Sequence, residues 1–461
     1  MIVRAKLSRG GTGSFSNFAS AVSKAGGDHL DIDVVQSTGD YILRDFTIAA
    51  RDPKHGEVIV QELKKLADVE IVNVSDVVFL KHLGGKIAIV PTSEVKTRVD
   101  LGQVYTPEVA RVCEAIAADP DKSFNLTIRG KMVAVISDGS RVLALGNIGP
   151  LAALPVMEGK AMLFQRFAGV NAFPICLDTQ DTDEIVNAIL AIAPNFGAIN
   201  LEDIASPRCY EVEKRLKEKL SIPVFHDDQH GTAIVVGAAA INAAKYIKKP
   251  LSRLKVTAIG TGAAGMACIK MLMDLGVKDI IAFNKDGAVY KGAPNLTETE
   301  TWLADNSNAG IYKGSYKDAL KGRDMFLGLS VGDILTGDDL KCMNKKAIVF
   351  ALANPRAEVP PETVPANVAV LATGSSRYPN QVNNALAFPG IFKGALEARV
   401  NQITEEMCIE AARAIAGLIK TRELAADYII PTVFDSRVAT TVAEAVKSTA
   451  AKSGLNRRAL K

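Results

Sequence analysis

The sequence has no closely spaced pair of cysteines. Cys113, Cys176, Cys209, Cys268, Cys342 and Cys408 are scattered, and no CxxC occurs. This argues against a disulfide framework and fits reduced thiols in a cytoplasm, mostly buried as small hydrophobes. No apolar run reaches the ~18 residues that a membrane span needs. The N-terminus, Met1-Ile2-Val3-Arg4-Ala5-Lys6, is too charged for a secretion signal. No basic tail or patch stands out, and 54 basic residues against 51 acidic leave a net charge of +3. Neither nucleic acid nor membrane is therefore expected as a partner. Low-complexity segments and sustained repeats are absent as well. What is present is a chain of 461 residues, 48% hydrophobic and 23% charged. That is ordinary globular composition, at a length for roughly three domains of ~150 residues each.

Hydrophobic periodicity divides the chain. Residues 1–85 read as strand, helix, two strands, helix, strand. Val3, Ala5 and Leu7 alternate, Phe15, Phe18, Ala19 and Val22 share a helical face, and Gly26-Gly27 ends that helix. The order βαββαβ is ferredoxin-like and resembles an ACT domain, a module that often binds a small regulatory ligand. A purely structural or dimerising role is the other reading, because fold alone does not establish binding. Residues 86–224 follow as an α/β domain, expected to be completed by the C-terminal segment 391–461. Here Phe124 to Leu145 reads as a β-hairpin turning at Gly130-Lys131, a helix follows Gly159-Lys160, and strands end in Glu202-Asp203 and Asp227-Asp228. After the second acidic pair, Gly231-Thr232 is expected to open a helix from Ala233 to Ile247. Acidic pairs at the C-terminal ends of parallel strands can converge although they lie far apart in sequence.

Residues 225–390 read as a Rossmann-type domain. The strand Val256–Ile259 runs into Gly260-Thr261-Gly262-Ala263-Ala264-Gly265 and a helix. A GxGxxG between strand and helix permits a tight turn, close approach of a pyrophosphate and helix–strand packing. An NAD site usually carries a carboxylate about 20 residues after the glycines. Here the next strand ends in Asn284-Lys285, with Asp286 two residues beyond its end. That favours NADP over NAD.

Several separate stretches together resemble the malic enzyme family, in its short bacterial form with an added N-terminal domain. They are Tyr105-Thr106-Pro107, Leu145–Pro150, Glu158-Gly159-Lys160, Asn200–Ile204, Phe225–Ala233, the GxGxxG, Asn354-Pro355 and Tyr378–Asn384. The resemblance runs from about Ile87 to the C-terminus. It implies oxidative decarboxylation of malate to pyruvate and CO2 with reduction of NADP or NAD. It also implies Mg2+ or Mn2+, held by Glu202, Asp203 and Asp228. A hard divalent cation suits an all-carboxylate set. By the same resemblance Lys160 is the general base, which requires its pKa to fall toward neutrality. Tyr105 is the general acid. Arg141, Asn354 and Asn384 hold malate. Gly260, Gly262, Ala263, Ala264, Gly265, Asn284 and Lys285 hold the nucleotide, with Asn354 and Asn384 also near its nicotinamide ribose. Asp227, His226 and His230 are left with supporting roles. One departure from the short members is Glu108 after Pro107, where glycine is commoner. The family is oligomeric, so a homo-oligomer, dimer or higher, is expected, with a small-molecule effector on the N-terminal domain. A metal-independent dehydrogenase of another small acid and a non-catalytic ligand sensor are the competing readings. The zinc-hydrolase reading of His226 and His230 fails, because Pro223 and Gly231 bracket a turn and the motif's Glu is absent.

Overall fold

The computed structural model describes residues 1–9 and 14–457. The chain divides into two compact units, Met1–Ala88 and Ile89–Lys461.

The first unit orders as β1 (Ile2–Ser8), α1 (Ser14–Lys24), β2 (Asp28–Ser37), β3 (Tyr41–Ala49), α2 (Pro53–Leu63) and β4 (Val69–Ser75). Its strands pair antiparallel in the order β2-β3-β1-β4. Val3, Ala5 and Leu7 alternate inward from β1 onto Phe18 and Val22 of α1 and Ile59 and Leu63 of α2. This is the expected βαββαβ arrangement. Asp52 accepts from the His55 amide to cap α2, and Pro53 opens it.

The second unit begins with short exposed helices, α3 (Arg98–Val104) and α4 (Ala110–Ala118), neither of which buries a residue. A four-stranded parallel sheet follows: β5 (Met132–Ser137), β6 (Asn171–Cys176), β7 (Ala198–Leu201) and β8 (Val224–His226), in the order β6-β5-β7-β8. The expected hairpin over 124–145 does not form. Ser123–Leu126 and Ile128–Lys131 are helical turns, and Met132–Ser137 is a single strand between two parallel neighbours. Its continuous apolar run belongs to a strand buried on both faces, where alternation carries no information. Gly130 serves close approach instead, since a Cβ there would lie 2.1 Å from the Phe124 carbonyl oxygen. Between the strands run α5 (Gly149–Ala168), α6 (Thr182–Ile192) and α7 (Arg208–Lys219). The first of these starts at Gly149 rather than after Gly159-Lys160, so Lys160 sits in mid-helix.

Directly after β8 comes α8 (Asp227–Tyr246), and the expected start at Ala233 is corrected by six residues. Gly231 does not break this helix. It lies within it, where a Cβ would meet Asp227 Oδ1 at 1.8 Å. The last sheet contains β9 (Lys255–Ile259), β10 (Asp279–Asn284), β11 (Gly287–Val289), β12 (Met325–Gly328), β13 (Ala347–Ala351) and β14 (Val368–Thr373). Its order is β11-β10-β9-β12-β13-β14, parallel except for the edge strand β11. Helix α9 (Ala263–Asp274) follows β9 and α10 (Glu298–Asn306) follows β11. The C-terminal helices α11 (Phe388–Ala398), α12 (Glu405–Gly417) and α13 (Arg437–Lys452) return to the first parallel sheet's side. There Phe388 and Phe392 pack on Phe164 of α5 with ring centroids 4.7 and 5.2 Å apart. Asn242, buried in α8, donates to the Ala416 and Ile429 carbonyls and fixes α8 to this return.

Both parallel sheets reverse their winding direction once. In the first the reversal lies between β5 and β7, and in the second at β9. Such switch points leave a crevice beyond the strand C-termini, which is where α/β folds place ligands.

Candidate active site

At the first switch point β7 is followed at once by Glu202 and Asp203, while β8 runs straight into Asp227 and Asp228 on the first turn of α8. Lys160 enters from α5. Its ammonium lies 2.5 Å from both Glu202 Oε2 and Asp227 Oδ2 and 4.6 Å from the Phe388 ring centroid. Lys160, Glu202, Asp203 and Asp227 are all buried. Asp203 takes a left-handed backbone (φ 54°), a conformation Asp tolerates better than most residues. From there its amide donates to Asp228 Oδ2 at 2.8 Å, and its carbonyl accepts from the Arg141 amide at 3.0 Å. Asn200 donates to Glu202 Oε2 at 3.0 Å, and His226 Nε2 lies 3.0 Å from Asp228 Oδ2.

Four carboxylates thus face one lysine and one histidine in a low-dielectric pocket. Burial, with Asp228 beside it, pushes Asp203 up to about 7. Burial likewise raises Glu202 and Asp227. Asp228 goes down: burial is the largest single effect and opposes its ionisation, but His226, Lys160 and the Asp203 amide together outweigh it. Lys160 departs from expectation. Burial lowers its pKa, yet the carboxylates of Asp227 and Glu202 hold it above the ordinary lysine value. A neutral lysine therefore needs those carboxylates to be engaged by another positive charge. Glu202, Asp203 and Asp228 fit a hard divalent cation: one ligand atom from each lies within 4.8 Å of the others. Asp203 Oδ2 is also buried without a hydrogen-bond partner, which is costly unless something else satisfies it.

The other expected residues are placed less uniformly. Arg141 is exposed but close enough to favour ionisation of Asp203. Half-buried Asn384 abuts Gly231 of α8, and exposed Asn354 packs against Gly374 and precedes a cis proline. Tyr105 stands apart in burial. It is 68% exposed at the end of α3, with no hydrogen bond from its hydroxyl among the described residues. Glu108 faces Arg111 at 3.5 Å.

At the second switch point the glycines divide the work. Gly260 has φ 106°, and a Cβ there would lie 2.3 Å from the Leu329 carbonyl oxygen; one on Gly265 would lie 2.0 Å from that of Gly260. Gly262, at the start of α9, faces open space. Ala263 and Ala264 open the helix. Asn284 ends β10 half-buried, and Lys285 and Asp286 are exposed.

Several residues here were not legible as site residues. Asp227 is the partner of Lys160, whereas spacing gave it only a supporting place. Glu300, buried on α10, accepts from Thr261 at 2.6 Å and Asn284 at 3.1 Å, joining the glycine loop to the end of β10. Glu358 accepts from the amides of Ser330 and Ala353 and ties together the loops after β12 and β13. Asp138, after β5, accepts from Arg208 at 2.8 Å. No local pattern marks such lone carboxylates. Their partners lie 5 to 70 residues away.

The family model described as malic enzyme, N-terminal domain, matches residues 84–217, and that described as malic enzyme, NAD binding domain, matches 229–451. A NAD-dependent malic enzyme of Geobacillus stearothermophilus is 53% identical over 96% of this chain and 93% of its own length. A NADP-dependent malic enzyme of Escherichia coli is 42% identical over 81% of this chain and 51% of its own. The crystal structure of a NAD-dependent malic enzyme from Thermotoga maritima superposes with a TM-score of 0.78 at 46% identity, covering 81% of this chain and 99% of that one.

One consequence concerns Asp203 without a cation. Its carboxyl rises from 3.8 to about 7 on folding, so between those values the native chain holds more protons than the unfolded one. This contribution is fully present below ~4 and lost as pH rises through ~7. Asp203→Asn should therefore raise the melting temperature of chelator-treated protein more at pH 8 than at pH 5. Equal gains at both would contradict the shift.

Proposed function

The chain belongs to the malic enzyme family, and we infer that it oxidatively decarboxylates malate to pyruvate and CO2 while reducing NAD(P). The observation that carries this is the convergence of Lys160 with Glu202, Asp203 and Asp228 at the mouth of one parallel sheet, with a glycine loop at the mouth of the next. Glu202, Asp203 and Asp228 would hold Mg2+ or Mn2+, which supplies electrophilic stabilisation of the oxygen at C2. Lys160 takes the C2 hydroxyl proton once its carboxylate partners are engaged, and Asp227 holds its ammonium in place. Arg141, Asn354 and Asn384 orient malate. Tyr105 returns a proton to C3 after CO2 leaves. This role requires its exposed ring to be covered, and an oligomer, dimer or higher, is the natural means. No helix among the described residues is long and apolar enough to cross a membrane, in keeping with a cytoplasmic enzyme.

Malate and Mn2+ should support NADP reduction with equimolar pyruvate, and a chelator should abolish it. Lys160→Met should lower kcat by about 10²–10⁴-fold. Reduction that survives chelation would favour a metal-independent dehydrogenase instead.

For the nucleotide we propose a preference for NADP. The support is the strand end itself: Asn284 is neutral and occupied by Glu300, and Lys285 is exposed beside it. Relatives of both kinds exist, so the ratio of kcat/KM decides. A preference for NAD by about tenfold or more, ~1.4 kcal/mol, would reverse the reading.

We propose further that residues 1–85 carry regulation by a small molecule on an ACT-like fold. Deleting them should leave malate oxidation intact and remove its response to effectors. A truncated protein that folds but is inactive would count against this.

A further inference from the structure

A cavity of about 430 Å3 opens between α7, the start of α8, α9, α10 and the start of α12. None of the residues assigned above to malate, the cation or the nucleotide lines it. Its volume falls in the range of small-molecule sites, roughly 300–1,000 Å3. The apolar lining includes Phe225, Ala233, Met266 and Met271, and the half-exposed indole of Trp302 joins them. Thioether and ring surfaces together favour a flat aromatic guest.

The charges on the wall decide the class of ligand. Lys217 lies 2.8 Å from Glu213, His230 Nε2 also 2.8 Å from Glu213, and Lys270 2.5 Å from Glu405 and 3.5 Å from Asp274. Every cation lining the cavity already faces a carboxylate. An anion drawn to Lys217 or His230 would have to compete with the buried Glu213 carboxylate, at the cost of leaving a buried charge short of a partner, whereas the exposed Lys270 pairs weigh little either way. A neutral ligand gains the apolar contact without that cost.

The same wall reaches the carboxylate cluster through His226. Gln229 lines the cavity, and its amide nitrogen lies 2.7 Å from His226 Nδ1, while His226 Nε2 lies 3.0 Å from Asp228 Oδ2. Glu213 anchors this chain through Gln229, His230 and the His226 amide. A guest that shifts Gln229 acts on the His226 ring, which faces Asp228.

We propose that this cavity binds a neutral, ring-bearing small molecule, and that its occupancy alters cation binding at Asp228. The second half rests on the reading of Glu202, Asp203 and Asp228 as a cation site; the first half does not. Trp302 is the only tryptophan, so its emission reports the cavity directly. The full chain is titrated with N-phenyl-1-naphthylamine, a neutral acceptor of tryptophan emission, and with its sulfonated analogue 1-anilinonaphthalene-8-sulfonate. Saturable quenching by the neutral probe at one per chain is expected, with the sulfonate binding more weakly. Ala267→Phe inside the cavity and Thr299→Phe beside Trp302 should each weaken the neutral probe about tenfold. Saturating probe should shift the Mn2+ dissociation constant, read by electron paramagnetic resonance, by about threefold or more. The proposal is overturned by absent quenching, by tighter binding of the sulfonate, by both variants binding like the parent, or by an unchanged Mn2+ constant. Quenching that disappears as protein concentration rises would assign the cavity to a second copy of the chain and overturn it too. If the protein bound no Mn2+ at all, the cation reading would fail, and Trp302 would still judge the cavity.

Discussion

Everything near the first switch point answers to one constraint: four carboxylates are held together, three of them out of water and Asp228 partly so. Ionised carboxylates repel one another strongly at low dielectric and are tolerated in a protein interior only when paired or ligating a metal. Lys160 reaches two of them, Glu202 and Asp227, from the middle of α5. His226 reaches a third, Asp228, and is itself fixed by Gln229 and Glu213. Asp203 is turned into place by a left-handed backbone that its neighbours must hold. The surrounding helices can be seen as the means of keeping these groups in register, with Phe388 and Phe392 of the C-terminal return packed behind Lys160's helix.

The two parallel sheets apply the same solution twice. Each reverses its winding once, and each gathers its polar groups beyond that reversal. In one, the strand ends supply acidic side chains. In the other, β9 supplies glycines whose missing Cβ atoms let α9 approach to within backbone contact. Helix α8 links the two, since its first turn carries Asp227 and Asp228 and its later turns pack on α9 and α12. Its buried Asn242 pins that packing through the Ala416 and Ile429 carbonyls. A change of tilt in this helix would therefore be felt at the carboxylates and at the nucleotide loop together.

Much of this could be read in advance, and the misreadings have physical causes. β1 follows periodicity closely, because a sheet with one covered face alternates, whereas Leu30, Ile32 and Val34 of β2 are exposed and mark no covered face. Met132–Ser137 misled because a strand buried on both faces does not. Gly231 reads as a helix start because glycine usually punctuates, whereas here it clears room for Asp227 within a helix. A general-base role for Lys160 requires its pKa to fall toward neutrality. The structure instead surrounds it with anions, which reverses the direction of the shift in the absence of a cation. Glu300, Glu358, Asp138 and Glu213 could not be picked out at all, because a single acidic residue announces nothing until its distant partners are beside it.

The sequence by itself determined the order of elements, the strand–glycine–helix unit, and the placement of acidic pairs at strand ends, since these depend on local spacing and on which residues tolerate a turn. It also carried the family resemblance, which rests on short stretches that remain intact wherever they lie in space. Only the tertiary structure decided which carboxylate meets Lys160, that Asp203 is left with an unsatisfied buried oxygen, and that a charge-balanced cavity lies behind Gln229 and His230. Those facts depend on how separate strands and helices are brought together and on how much water the packing excludes, and neither is written in any one stretch of the chain.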